Sequence, residues 1–168
     1  MPVYLVQHGQ AVSEAQDPAR PLSERGREEV ERVACHAATL GLRITEIWHS
    51  GRLRALQTAE IFRGHLRPEP GLREQRGMSP SDDPSLLISR LEASADPLML
   101  VGHLPHLGRL ASLRLIGDPG RGILQFQNPA IVCLARREDG WAVHWVLLPA
   151  LVSGGSAADA HPPVGPPG

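Results

Sequence analysis

The run Val3-Tyr4-Leu5-Val6 most limits what this chain can fold into. It is a continuous set of apolar, largely β-forming residues that turns polar at once at Gln7-His8-Gly9. Such a run fits a strand covered on both faces in a parallel sheet. In open α/β sheets ligands bind outside the carboxyl ends of the strands, so His8 falls where small-molecule chemistry is done. Gly9 lets the backbone turn tightly or come close to a ligand.

The pattern recurs. Leu98-Met99-Leu100-Val101 is a second such run, closed by Gly102-His103, and Ile44 to Trp48 is a third, followed by the polar turn His49-Ser50-Gly51. Helical periodicity fills the gaps. Ser23 caps a helix with Glu24, Glu28 and Glu29 near its positive end and Val30, Val33, Ala34, Ala37, Ala38 and Leu40 on one face, ending at Gly41. Another helix starts at Leu53, with Arg54 in its first turn and Gly64 as its stop. Residues 67–84 form an irregular loop able to carry a short edge strand. Further helices run from Pro84 to about Ala93 and from Pro105 to Ile116. Ile131–Ala135 and Trp141–Leu148 form a hairpin signalled by Asp139-Gly140. The expected fold is α/β, a three-layer sandwich with a mainly parallel central sheet and helices on both faces. One domain spans residues 1–150, and residues 151–168 form a Pro/Gly-rich flexible tail, since such a composition buries too little apolar surface to offset its ordering entropy.

Charge narrows the chemistry. The seventeen basic residues are all Arg, which removes a P-loop lysine, a Schiff-base lysine and the kinase strand lysine; any phosphate is held by Arg, His and backbone N–H groups. A formal net charge of −1 argues against nucleic-acid or membrane-surface binding. Cys35 and Cys133 share no metal or redox spacing and read as buried, reduced thiols. Without a signal-like N-terminus or an apolar run of about 20 residues, the expected compartment is the cytoplasm.

Two strand-end histidines and one arginine in the first turn of a helix can converge at the carboxyl edge of the sheet. Together they suit a phosphoryl group. A guanidinium offers a planar fork of donors to phosphate oxygens, a neutral imidazole can attack phosphorus, and a second imidazole can bond the equatorial oxygens. No metal or other cofactor is required by this chemistry.

Four ordered stretches carry a resemblance: Leu5-Val6-Gln7-His8-Gly9, Pro21-Leu22-Ser23-Glu24-Arg25-Gly26, Ser50 to Ala59, and Leu100-Val101-Gly102-His103. In order and spacing they resemble the histidine phosphatase (phosphoglycerate-mutase-like) superfamily, over roughly Met1 to Leu148, and within it the small SixA-type phosphohistidine phosphatases. The resemblance implies that His8 attacks the phosphoryl group to give a transient phosphohistidine that water hydrolyses. Arg54 and His103 would clamp the transferred group, with Gln7 as a further phosphate contact; Ser13 follows the first strand closely enough to donate to phosphate as well, although loop serines are usually only solvated. The substrate would be a phosphorylated protein bearing phosphohistidine, or a small phosphorylated molecule.

Several positions depart from that pattern. Gln7 stands where most of the superfamily has Arg, keeping two N–H donors without the charge; loss of one such donor can slow chemistry about 100-fold. Gly51 stands where Pro is more common, and Gln10 where an acid is. The general acid of larger members has only Glu74 and Asp82 as candidates. Phosphohistidine needs an acid least, because imidazole leaves with a pKa of about 6.5 whereas an alkoxide must be protonated towards about 16. The rivals are a small phosphate-ester phosphatase using Glu74 or Asp82, and a non-catalytic phospho-binding module in which Gln7 marks lost turnover. His36, His65, His144 and His161 read as structural; His49 and His106 as rim residues; Arg52, Arg109 and Arg121 as surface charges; and Asn128 as a weak loop candidate.

Overall fold

The computed structural model describes residues 1–152. Its elements in chain order are β1 (Pro2–Gln7), α1 (Glu24–Thr39), β2 (Glu46–His49), α2 (Leu53–Leu66), β3 (Gly71–Glu74), α3 (Ser85–Ala93), β4 (Leu98–Gly102), α4 (His106–Ile116), β5 (Ile131–Arg137) and β6 (Gly140–Leu147), closed by a 3₁₀ turn at Pro149–Leu151. The strands form one six-stranded sheet in the order β3-β2-β4-β1-β5-β6, parallel from β3 to β1 and antiparallel beyond. The α/β architecture with helices on both faces is therefore present, and β3 is the short edge strand expected inside the 67–84 loop.

Successive residues of a strand point to opposite faces, and both faces here are apolar. Val3, Leu5, Leu98, Leu100, Val132 and Leu134 pack under α3 and α4, against Leu87, Leu91, Leu107 and Leu110. Tyr4, Val6, Met99, Val101, Ile131 and Cys133 pack under α1 and α2, against Val30, Val33, Ala37, Ala55 and Phe62. This two-sided burial is why the central runs are continuously apolar. It also brings four strand ends to one edge: Gln7, His49, Glu74 and Gly102.

The segment between β1 and α1 folds back on itself. Ser23 Oγ accepts from the Gly26 amide at 3.0 Å, capping α1 as its sequence suggested, and the Ser23 amide donates to Gln10 O at 2.9 Å. The approach is close enough to exclude side chains. A Cβ on Gly26 would lie 2.1 Å from Gln10 O, and one on Gly9 would lie 2.6 Å from Val30 Cγ2.

Three expectations need correction. Helix α2 does not stop at Gly64, which faces open space; Leu66 packs on the core, and Arg67 ends the helix in a left-handed conformation (φ 49°) just before Pro68. Cys133 is buried but Cys35 is exposed, because it lies on the outer side of α1 between the buried Ala34 and Ala37. Strand β2 begins at Glu46 and reaches His49. Of the expected tail, Leu151 ends the 3₁₀ turn and Val152 is buried, while 153–168 and His161 lie outside the described residues. No helix among the described residues is long and apolar enough to cross a membrane.

Candidate active site

The sheet edge brings His8, Arg54 and His103 together. The last rung of the β1–β4 ladder joins the two histidine-bearing ends, with the His8 amide donating to Gly102 O at 3.1 Å. The two imidazole rings lie 4.8 Å apart, centroid to centroid, tilted by 58°. Arg54, buried to 7% exposure in the first turn of α2, donates from Nε to His8 Nε2 at 3.1 Å. The other ring nitrogen, His8 Nδ1, lies 2.7 Å from Gly9 O. A carbonyl can only accept, so Nδ1 carries the proton and Nε2 keeps its lone pair.

Electrostatics hold the same state. Burial, and then the charges of Arg54, Arg20 and Arg52, lower the pKa of His8 to about 4, although the bond to Gly9 O pulls the other way. Burial lowers His103 to about 3, helped by His8, Arg54 and Arg52. Both rings are neutral at pH 7. Arg54 is lowered by burial and by its neighbours Arg20 and Arg52. No carboxylate pairs with Arg20, Arg52 or Arg54 among the described residues. An unneutralised cluster of guanidinium groups around two neutral imidazoles suits a dianionic ligand.

Supporting contacts fix this constellation. The Gly9 amide donates to Thr58 Oγ1 at 3.0 Å, and that hydroxyl donates to Arg54 O at 2.8 Å, tying the His8-Gly9 turn to α2. Gln57 Oε1 accepts from the Leu22 amide at 2.8 Å. Ser50 Oγ and His103 Nε2 are 2.5 Å apart, while His103 Nδ1 is buried without a partner.

The remaining candidates fall in different places. Gln7 ends β1 opposite Gly102, its Oε1 buried and unpartnered. Ser13 is exposed and bonds Gln16 within its own loop. Glu74 is exposed but lies against the Ser50-Gly51 turn, since a Cβ on Gly51 would sit 2.7 Å from Glu74 Oε1. Asp82 accepts from the Ser79 amide at 2.8 Å, which ties it into a local turn. His49 and His106 do not form a rim: His106 is wholly buried, and His49 is 6% exposed. His49 ends β2 and His106 opens α4. Arg109 touches Asp82 O, and Asn128 is half-buried before a cis Pro129.

The sequence did not point to Arg20, Ser50 or Thr58. Thr58 had a legible signal, its position one helical turn after Arg54. Arg20 had none, because it reaches the site only through the folding back of its loop, with a left-handed backbone (φ 50°) and Nε on Val12 O.

Comparison with known proteins follows the same residues. The sequence profile of the histidine phosphatase superfamily (branch 1) matches residues 3–79, which hold His8, Arg54 and Glu74. An uncharacterized protein of Picosynechococcus sp. is 36% identical over 128 residues, covering 71% of this chain and 76% of that one. The mitochondrial serine/threonine-protein phosphatase PGAM5 of Rattus norvegicus is 35% identical over 65 residues, 38% of this chain and 23% of its own. A solved structure of the protein histidine phosphatase SixA complexed with tungstate aligns with a TM-score of 0.78 at 26% identity, covering 89% of this chain and 98% of that one.

Proposed function

We propose that this chain, which belongs to the histidine phosphatase superfamily, hydrolyses phosphohistidine on a protein through a covalent intermediate at His8. The observation that carries the reading is the pair of bonds on one imidazole: Nδ1 held protonated by Gly9 O, and the lone pair of Nε2 directed at Arg54. Nucleophile and phosphate-binding guanidinium thereby share one point in space.

In the first step the Nε2 lone pair of His8 forms a bond to phosphorus as the bond from phosphorus to the substrate imidazole breaks. The bonding pair leaves with that imidazole, which already carries a proton on its other ring nitrogen and so departs neutral. Arg54 and His103 bond the equatorial oxygens, where charge gathers, and Gln7 can add a neutral donor. In the second step water attacks the phosphoryl group on His8, the Nε2–P bond breaks, and inorganic phosphate leaves with His8 neutral again. Superposition on the SixA phosphatase over nearly its whole length supports a protein-borne phosphohistidine. So does the low demand of that leaving group for an acid.

One contact favours a second reading. Glu74 lies beside the Ser50-Gly51 turn, where a carboxyl group could serve the leaving oxygen of a small phosphate ester. Turnover of a phosphohistidine-bearing protein and of a general phosphate ester, in the presence of a chelator, separates the two. Phosphohistidine turnover that vanishes in His8→Ala is the expected result. Faster ester turnover that collapses in Glu74→Gln would replace the first reading with the second, and phosphate binding without turnover of either substrate would reduce the site to a binding module.

A further inference from the structure

The Ser50 hydroxyl that meets His103 stands on a turn built unusually. Gly51 has φ 80°, a conformation that side chains avoid, and its amide donates to Nδ1 of His49, two residues back, at 3.2 Å. The turn is held from the other side as well, since His49 O accepts from the Gln75 amide at 2.9 Å. Ser50 is thus the single residue between a ring acceptor and the amide it receives. A proline at position 51 would stiffen this turn by its ring but offer no N–H, and could not adopt a positive φ. The chain stiffens the turn with an imidazole instead.

We infer that His49 is a positioning residue for the phosphatase site: its Nδ1, by accepting the Gly51 amide, fixes the Ser50 hydroxyl that in turn orients His103. The inference rests on the proposed reaction at His8. The ring is set for this task. His49 ends β2 between Val101 of β4 and Glu74 of β3, nine-tenths buried, so it has little freedom to rotate. Burial lowers its pKa, against the opposing pull of Glu74 and Glu60, which keeps an acceptor nitrogen available at pH 7. Accepting at Nδ1 places its proton on Nε2. Without that acceptor the exposed Gly51 amide would turn to water, at little cost to stability but with the turn free to shift.

The test starts from wild-type turnover of a phosphohistidine-bearing protein; its absence would refute the reaction and leave this bond to be judged by the ring state alone. Given turnover, His49→Leu keeps an apolar bulk and removes the acceptor, whereas His49→Asn supplies an oxygen that reaches the amide two residues on, as in an Asx-turn. We expect kcat to fall about tenfold in His49→Leu with KM nearly unchanged, and to return to within about threefold of wild type in His49→Asn. Wild-type kcat in His49→Leu, or equal losses in both variants, would overturn the inference. Nitrogen chemical shifts of the His49 ring in the wild-type protein decide independently of whether the variants fold: a protonated Nε2 and bare Nδ1 support the bond, and a protonated Nδ1 excludes it.

Discussion

Within strand β1, the interior and the carboxyl end obey opposite rules. From Val3 to Val6 every side chain is buried against carbon, alternating between two apolar layers. From Gln7 onward the groups are an amide oxygen, a half-buried and a buried imidazole, and a buried guanidinium without a carboxylate, and two of these atoms, Gln7 Oε1 and His103 Nδ1, lack hydrogen-bond partners. Burying polar atoms without partners costs free energy, and gathering arginines around neutral histidines costs more. The difference shows where stability is made and where it is given up: the interior holds the edge in a state that the edge would not choose alone.

Removing the His8 imidazole should divide the two regions most sharply. In His8→Ala, turnover falls by at least about 10³-fold, while the midpoint of thermal unfolding stays level or rises. A large loss of stability would mean that the edge contributes to the fold after all. The converse change is Leu100→Ala, which empties a site buried in the interior. It should cost about 2–5 kcal/mol in denaturant unfolding yet leave turnover per folded molecule close to wild type.

Acid should act through the buried, neutral histidines: His49 and His106, whose pKa values burial also lowers, and above all His8 and His103. His8 and His103 titrate near 6.5 when unfolded but at about 4 and about 3 in the fold. As pH falls below about 6.5 the unfolded chain gains protons that the folded chain refuses, so stability declines down through these lower values. Turnover per folded molecule should stay level to about pH 5, because His8 is still neutral, and drop through about 4. His103→Asn should flatten the decline in the unfolding midpoint, and a pH-independent midpoint in the wild type would contradict the depressed values. The smallest effect belongs to the exposed carboxylate: Glu74→Gln should alter phosphohistidine turnover by no more than about twofold.

The interior was legible because burial on two faces writes itself into the chain as unbroken apolar runs, and the helices because one face of each repeats at their period. His8 and His103 were legible for a related reason, since each follows such a run directly, and Arg54 because it opens the helix after another. Arg20 was not, for its arrival depends on how residues 10–22 fold back, as does the bond between the Gln10 carbonyl and Ser23. The bonds from Ser50 to His103 and from Gly51 to His49 depend on one positive φ, which no periodicity records. Leu66 shows the limit on local signals: Gly64 reads as a stop, but the core beyond it prolongs the helix.

Gly9 and Gly26 meet across Val30 and Gln10 with no room for a Cβ at either position. For anyone diversifying this protein, those two positions behave as one locus. A library that varies residues around His8 while holding both glycines keeps α1 beneath the His8 turn. One that varies either glycine alone samples mostly chains in which His8 has lost its floor, and their silence would say nothing about the chemistry of the residues changed beside it.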